Sequence, residues 1–142
     1  MNAQWQYQLR IYLTEQFAEI ARRDREAAEL RGLTDILAKW RATLVNQLDA
    51  FENYVLEAER EGPEHFPLYK WTKATLNDPV RRRRHMMTFA LYVSGSEVYA
   101  RETADALEAA LQDLVGGNLV TRLSRHDTNP ASNLQVPDEY RS

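Results

Sequence analysis

LTDILAKWRATLVNQLDAFENYV, residues 33–55, is the stretch on which the fold turns. Leu33, Leu37, Trp40, Leu44, Leu48, Phe51 and Val55 recur at steps of four, three, four, four, three and four. That spacing puts seven apolar side chains on one stripe of an α-helix. Thr34 stands where an N-cap is favoured, and Gly62-Pro63 closes the run. The pattern predicts one unbroken helix to about Arg60, roughly 40 Å long at 1.5 Å per residue.

Upstream, residues 7–13 alternate strictly. Tyr7, Leu9, Ile11 and Leu13 point one way, and Gln8, Arg10 and Tyr12 point the other. Period two with β-branched and aromatic residues is a half-buried strand. Thr14-Glu15 then opens a helix expected to reach Arg31, where Gly32 interrupts it. So short a link would fold the two helices into an antiparallel hairpin.

Downstream, residues 62–78 carry Phe66, Leu68, Tyr69 and Trp71, and are expected to wrap the core as an irregular aromatic loop. Asp78-Pro79 has the form of an N-cap followed by proline at the first helical position, launching a short helix through Arg81–Arg84. Met87, Phe89, Leu91 and Val93 alternate. Ser94-Gly95 suits a two-residue turn. A hairpin folded there would pair Leu91 with Val98 and Phe89 with Ala100, and Tyr92 with Glu97 on the opposite face. A helix over 103–115, stopped by Gly116-Gly117, precedes a last alternating run over 119–125. Residues 127–142 are polar and read as an extended tail.

These elements make one α+β domain over residues 1–142. A small antiparallel sheet of three or four strands is covered by the helical hairpin and a C-terminal helix. The length and the 44% apolar content suffice for a core without staples. The chain has no cysteine, which excludes disulfides, thiolate metal sites and a cysteine nucleophile. The first ten residues lack the basic start and apolar run of a secretory signal, so a cytoplasmic location is expected. The longest apolar-rich run, Met86–Val93, falls far short of the roughly 20 residues a membrane span needs.

Charge is distributed unevenly. The net charge is −3, yet residues 70–85 carry +5, leaving −8 on the remainder. Arg81, Arg82, Arg83 and Arg84 form a candidate anion site for phosphate, nucleic acid or an acidic surface. On a helix, consecutive residues splay by about 100°, so the four cannot all face one ligand. A solvated turn balancing the acidic body is the plainer alternative. Nucleic acid is disfavoured, because neither a helix-turn-helix nor an RNA-binding aromatic pair accompanies the run.

Lys70, Trp71 and Lys73, with Arg122 and His126, form a second candidate set for a small anionic ligand. Their pocket would lie between the sheet and the aromatic loop. His65, His85 and His126 are widely separated and lack metal-ligand spacing, so neither a metal site nor a cofactor is expected. No motif decides whether the chain is an enzyme. The leading expectation is a non-enzymatic binding or regulatory module acting as a homodimer, because strands of seven residues span only about 23 Å and leave part of the long stripe uncovered. A small-molecule binder or enzyme using the second set is the alternative, and anion binding through the arginine run is the third.

Overall fold

A computed structural model describes residues 5–127. The tail expected over 127–142 lies outside them apart from Asp127, which ends a strand. The elements in chain order are β1 (Tyr7–Leu13), α1 (Glu15–Arg23), α2 (Arg31–Ala38), β2 (Ala42–Asn46), α3 (Gln47–Glu61), α4 (Tyr69–Asn77), α5 (Pro79–Met86), β3 (Thr88–Val93), α6 (Arg101–Leu111) and β4 (Val120–Asp127). The fold is α+β, with one four-stranded antiparallel sheet.

The strand order is β2-β3-β1-β4. β1 and β2 both run antiparallel to β3, so they are parallel to one another and need a crossover, which α1 and α2 supply. α6 does the same between β3 and β4. This is the ferredoxin-like, split βαβ arrangement, with residues 47–87 inserted where β2 would otherwise turn directly into β3.

The long rod expected from residue 33 onward is cut. α2 ends at Ala38, the chain turns through Lys39–Arg41, and five residues of the supposed helix form β2. Arg41 takes a left-handed φ of 53°, which no α-helix tolerates in its interior. Asn46 then caps α3, its Oδ1 accepting the N–H of Asp49 at 3.0 Å. Its Nδ2 donates to the Met86 carbonyl at 2.7 Å and fastens the insertion to the end of the sheet. The stripe is divided accordingly. Leu33, Leu37 and Leu44 enter the main core, while Leu48 and Val55 are buried on α3. The continuous apolar surface from which a homodimer was argued does not exist.

Three further expectations change. The first helix stops at Arg23, not Arg31, because Asp24 Oδ1 takes the Glu26 N–H and starts a turn there; Gly32 lies inside α2. The aromatic loop contains a helix, α4, which packs on α3 through the Phe51–Trp71 edge contact, while Phe66, ahead of α4, packs on Tyr54 of α3. The Ser94-Gly95 turn forms, with φ of 51° and 81°, but the second arm of the hairpin does not. Phe89 pairs with Ile11 and Asn46, and Leu91 with Leu44, so β3 has a strand on each side already. The chain after the turn moves on to β1, where Tyr99 pairs with Tyr7.

The core lies on one side of the sheet. Leu9, Ile11 and Leu13 of β1, Leu44 of β2, and Phe89 and Leu91 of β3 are at most 3% exposed and pack with Ala18, Leu30, Leu33, Leu37, Leu107 and Leu111. Successive strand residues face opposite ways, so their neighbours occupy the other face. α1, α2 and α6 share one side, which leaves the second face, the open face, free of these three helices; on it Thr88 and Ala90 are buried, Arg10, Tyr12 and Tyr92 half-buried, and Thr43 and Arg122 exposed.

Candidate functional site

The open face is built from rungs across the sheet. Val45, Ala90, Arg10 and Ser124 form the central rung, one residue from each strand in order. Thr88, Tyr12 and Arg122 lie in the rung on one side; Gln8 and His126 pair on the other, where Tyr92 pairs with Thr43. The strand alternation that buries Leu9 and Ile11 in the core is what forces Gln8, Arg10 and Tyr12 onto this face.

Arg10 sits at the middle, half-buried. Its Nε donates to Gln8 Oε1 at 2.8 Å. Gln8 in turn donates through Nε2 to the Glu97 carbonyl at 2.8 Å, so one amide ties the central arginine to the loop after β3. Among the described residues no carboxylate lies within ion-pair distance of Arg10. Burial lowers its pKa from the ordinary value, partly offset by the field of Tyr12, Glu97 and Tyr92.

The groups around it are held in place. The Arg122 guanidinium lies over the Tyr12 ring, 4.8 Å from its centroid, a cation–π contact that keeps the charge on this face. Ser124 Oγ lies 3.0 Å from His126 Nε2. Burial, then Arg10 and Arg122, push the His126 pKa below 6.5, so its ring favours the neutral form. Burial, then the charge of Glu97, raise the Tyr92 phenol pKa.

The structure divides the second candidate set in two. Arg122 and His126 stand on the open face beside Arg10. Trp71 turns to Phe51, with ring centroids 6.0 Å apart, and Lys73 Nζ pairs with Glu59 at 2.7 Å, sharing that carboxylate with the Tyr69 hydroxyl. Lys70 is exposed on α4. The alternation over residues 7–13 already put Gln8, Arg10 and Tyr12 on the side away from the core. Their meeting with Arg122 and His126 is fixed by pairing between segments more than 100 residues apart, which no local pattern encodes.

The arginine run is largely engaged within the chain. Arg81 lies 3.6 Å from Asp78, Arg82 lies 2.9 Å from Glu52, and Arg83 pairs with Glu15 of α1. The last two contacts pin α5 to α3 and α1. Arg84 has no ion pair among the described residues and, with Pro79, Val80, Arg83 and Met87, lines a shallow concavity of about 440 Å³. Two further hollows, about 520 and 340 Å³, flank Arg25 beside the edge strand β2, where Arg25 Nη1 donates to the Leu44 carbonyl at 3.0 Å.

Among the described residues no group of three or more metal-binding side chains converges, and no helix is long and apolar enough to cross a membrane. No family model, curated protein or solved structure matches the chain.

Proposed function

We propose that this chain is a binding module that takes a small anionic ligand on the open face of its sheet, with Arg10 as the anchor. One observation carries the reading: a half-buried guanidinium at the centre of the face, bonded through Nε to Gln8 and without a carboxylate partner among the described residues. Desolvating a cation is unfavourable unless an anion compensates it. The terminal nitrogens of an arginine present a planar fork that matches a carboxylate or phosphate. Arg122 adds a second positive charge, and Ser124 and His126 add short-range hydrogen-bonding groups on the same strand. Lys70, Trp71 and Lys73 have no part in this binding; Trp71 and Lys73 hold α4 on α3, and Lys70 is exposed on α4.

Titration calorimetry with inorganic phosphate and with acetate at low salt tests the proposal. Arg10→Gln is expected to weaken binding by about tenfold or more, the loss of a charge-assisted bidentate contact. Arg84→Gln, outside the face, is expected to leave it unchanged. Equal affinity in Arg10→Gln, or loss in Arg84→Gln, overturns the assignment and returns the anion site to the arginine run.

A further inference from the structure

Opposite charges face one another across the Gln8 amide without touching. Gln8 takes Arg10 Nε on its oxygen and gives its N–H to the Glu97 backbone, which spaces the guanidinium from the loop carrying the Glu97 carboxylate. The Val93–Ser96 bridge brings that loop back beside Tyr92, whose phenol pKa the Glu97 charge raises. Glu97 is exposed and forms no ion pair among the described residues. The two charges nonetheless act on each other through space, since Glu97 raises the basicity of Arg10. A chain seeking internal neutrality would close this pair directly, as Arg83–Glu15 and Lys73–Glu59 do elsewhere in the molecule.

Resting on the anion reading above, we infer that the ligand is a compact zwitterion of the α-amino-acid class, its carboxylate on the Arg10 fork and its ammonium on Glu97. The third substituent has a place as well. Val45, half-buried in the central rung, is apolar, as is Ala90, buried between it and Arg10, with Tyr92 one rung away. Neither Val45 nor Ala90 carries a charge, which selects an uncharged side chain. A zwitterion satisfies both fixed charges at once, whereas a simple anion leaves Glu97 beside it and is repelled by it.

Calorimetry with three probes separates the cases: L-phenylalanine, 3-phenylpropionate, which lacks the ammonium, and 2-phenylethylamine, which lacks the carboxylate. L-Phenylalanine is expected to bind at least about tenfold more tightly than either. Glu97→Gln removes an exposed charge and should fold as the parent does. It is expected to erase the advantage over 3-phenylpropionate. If 3-phenylpropionate binds as tightly as L-phenylalanine, or Glu97→Gln preserves the difference, the zwitterion is overturned and the anion site stands. If neither carboxylate nor phosphate binds, both readings fall.

Discussion

Tyr99 does for the sheet what a strand partner would otherwise do. The register of Ile11 on Phe89 would bring Leu9 opposite Leu91, but β1 and β3 part before that point. The Tyr99 hydroxyl fills the gap, accepting the Leu9 N–H at 2.7 Å and donating to the Leu91 carbonyl at 2.9 Å. It is 6% exposed, so water cannot easily substitute. Tyr99→Phe leaves two buried backbone groups unpartnered and is expected to cost about 2–4 kcal/mol, measured by urea unfolding. A loss under about 0.5 kcal/mol would mean the strands can close without the hydroxyl. His85 is a second residue with a legible consequence. Its ring packs on Phe51 at 4.8 Å and its Nδ1 meets Gln47 Oε1 at 2.8 Å. Burial, then the charges of Arg84, Arg10 and Arg81, lower its pKa from 6.5 to about 4. The folded state therefore binds this proton less readily than the unfolded chain. The stability that follows is full above about pH 6.5 and is lost as pH falls toward 4. The difference in urea midpoint between the parent and His85→Gln should shrink across that window; a difference constant with pH would contradict the assignment.

At the scale of elements, what was legible was what alternates or caps. β1 follows from Tyr7 to Leu13, and α5 from Asp78, whose Oδ1 accepts the Val80 and Arg81 N–H groups at 3.0 and 3.4 Å. β2 was hidden because Leu44 fits two periods. It lies four residues from both Trp40 and Leu48, and equally it is the buried centre of the alternating Ala42, Leu44, Asn46 set. Five residues are too few for the period of two to outweigh a stripe of seven. The β-branched Thr43 and Val45 and the Asn46 cap were the local signals for a break. Tertiary pairing with β3 decides it, since the sheet gains a fourth strand and covers more of the α2 face. The turn that makes this possible holds Arg41 left-handed, a conformation glycine adopts freely. Arg41→Gly is expected to stabilise the protein by about 0.5–1 kcal/mol in urea unfolding, and destabilisation would show that the Arg41 side chain has a role of its own.

Taken as a whole, the molecule separates its two tasks by face. One side of the sheet is closed with aliphatic residues under α1, α2 and α6, and the insertion 47–87 is fastened to one end by Asn46 and by the Arg83–Glu15 pair. The other side carries Arg10, Arg122, His126, Tyr12 and Tyr92. The excess positive charge visible in the sequence at residues 70–85 drew attention to Arg81–Arg84, whose partners Asp78, Glu52 and Glu15 became identifiable only once α1, α3 and α5 were assembled. Arg122 and His126 were within reach of sequence reasoning because they lie four residues apart on a readable strand. Arg10 was not, because an arginine in an alternating strand is ordinarily a solvated outward residue, and its want of a carboxylate partner among the described residues is a property of the assembled sheet. The central claim is that Arg10 anchors an anion on that face. Its most direct test is a titration with inorganic phosphate followed by the side-chain Nε–H resonances of the arginines in a ¹⁵N-labelled sample. The Arg10 resonance should move saturably and with the largest amplitude, together with the amides of Gln8 and Ser124. Saturable shifts at Arg81–Arg84 with Arg10 unmoved would contradict it.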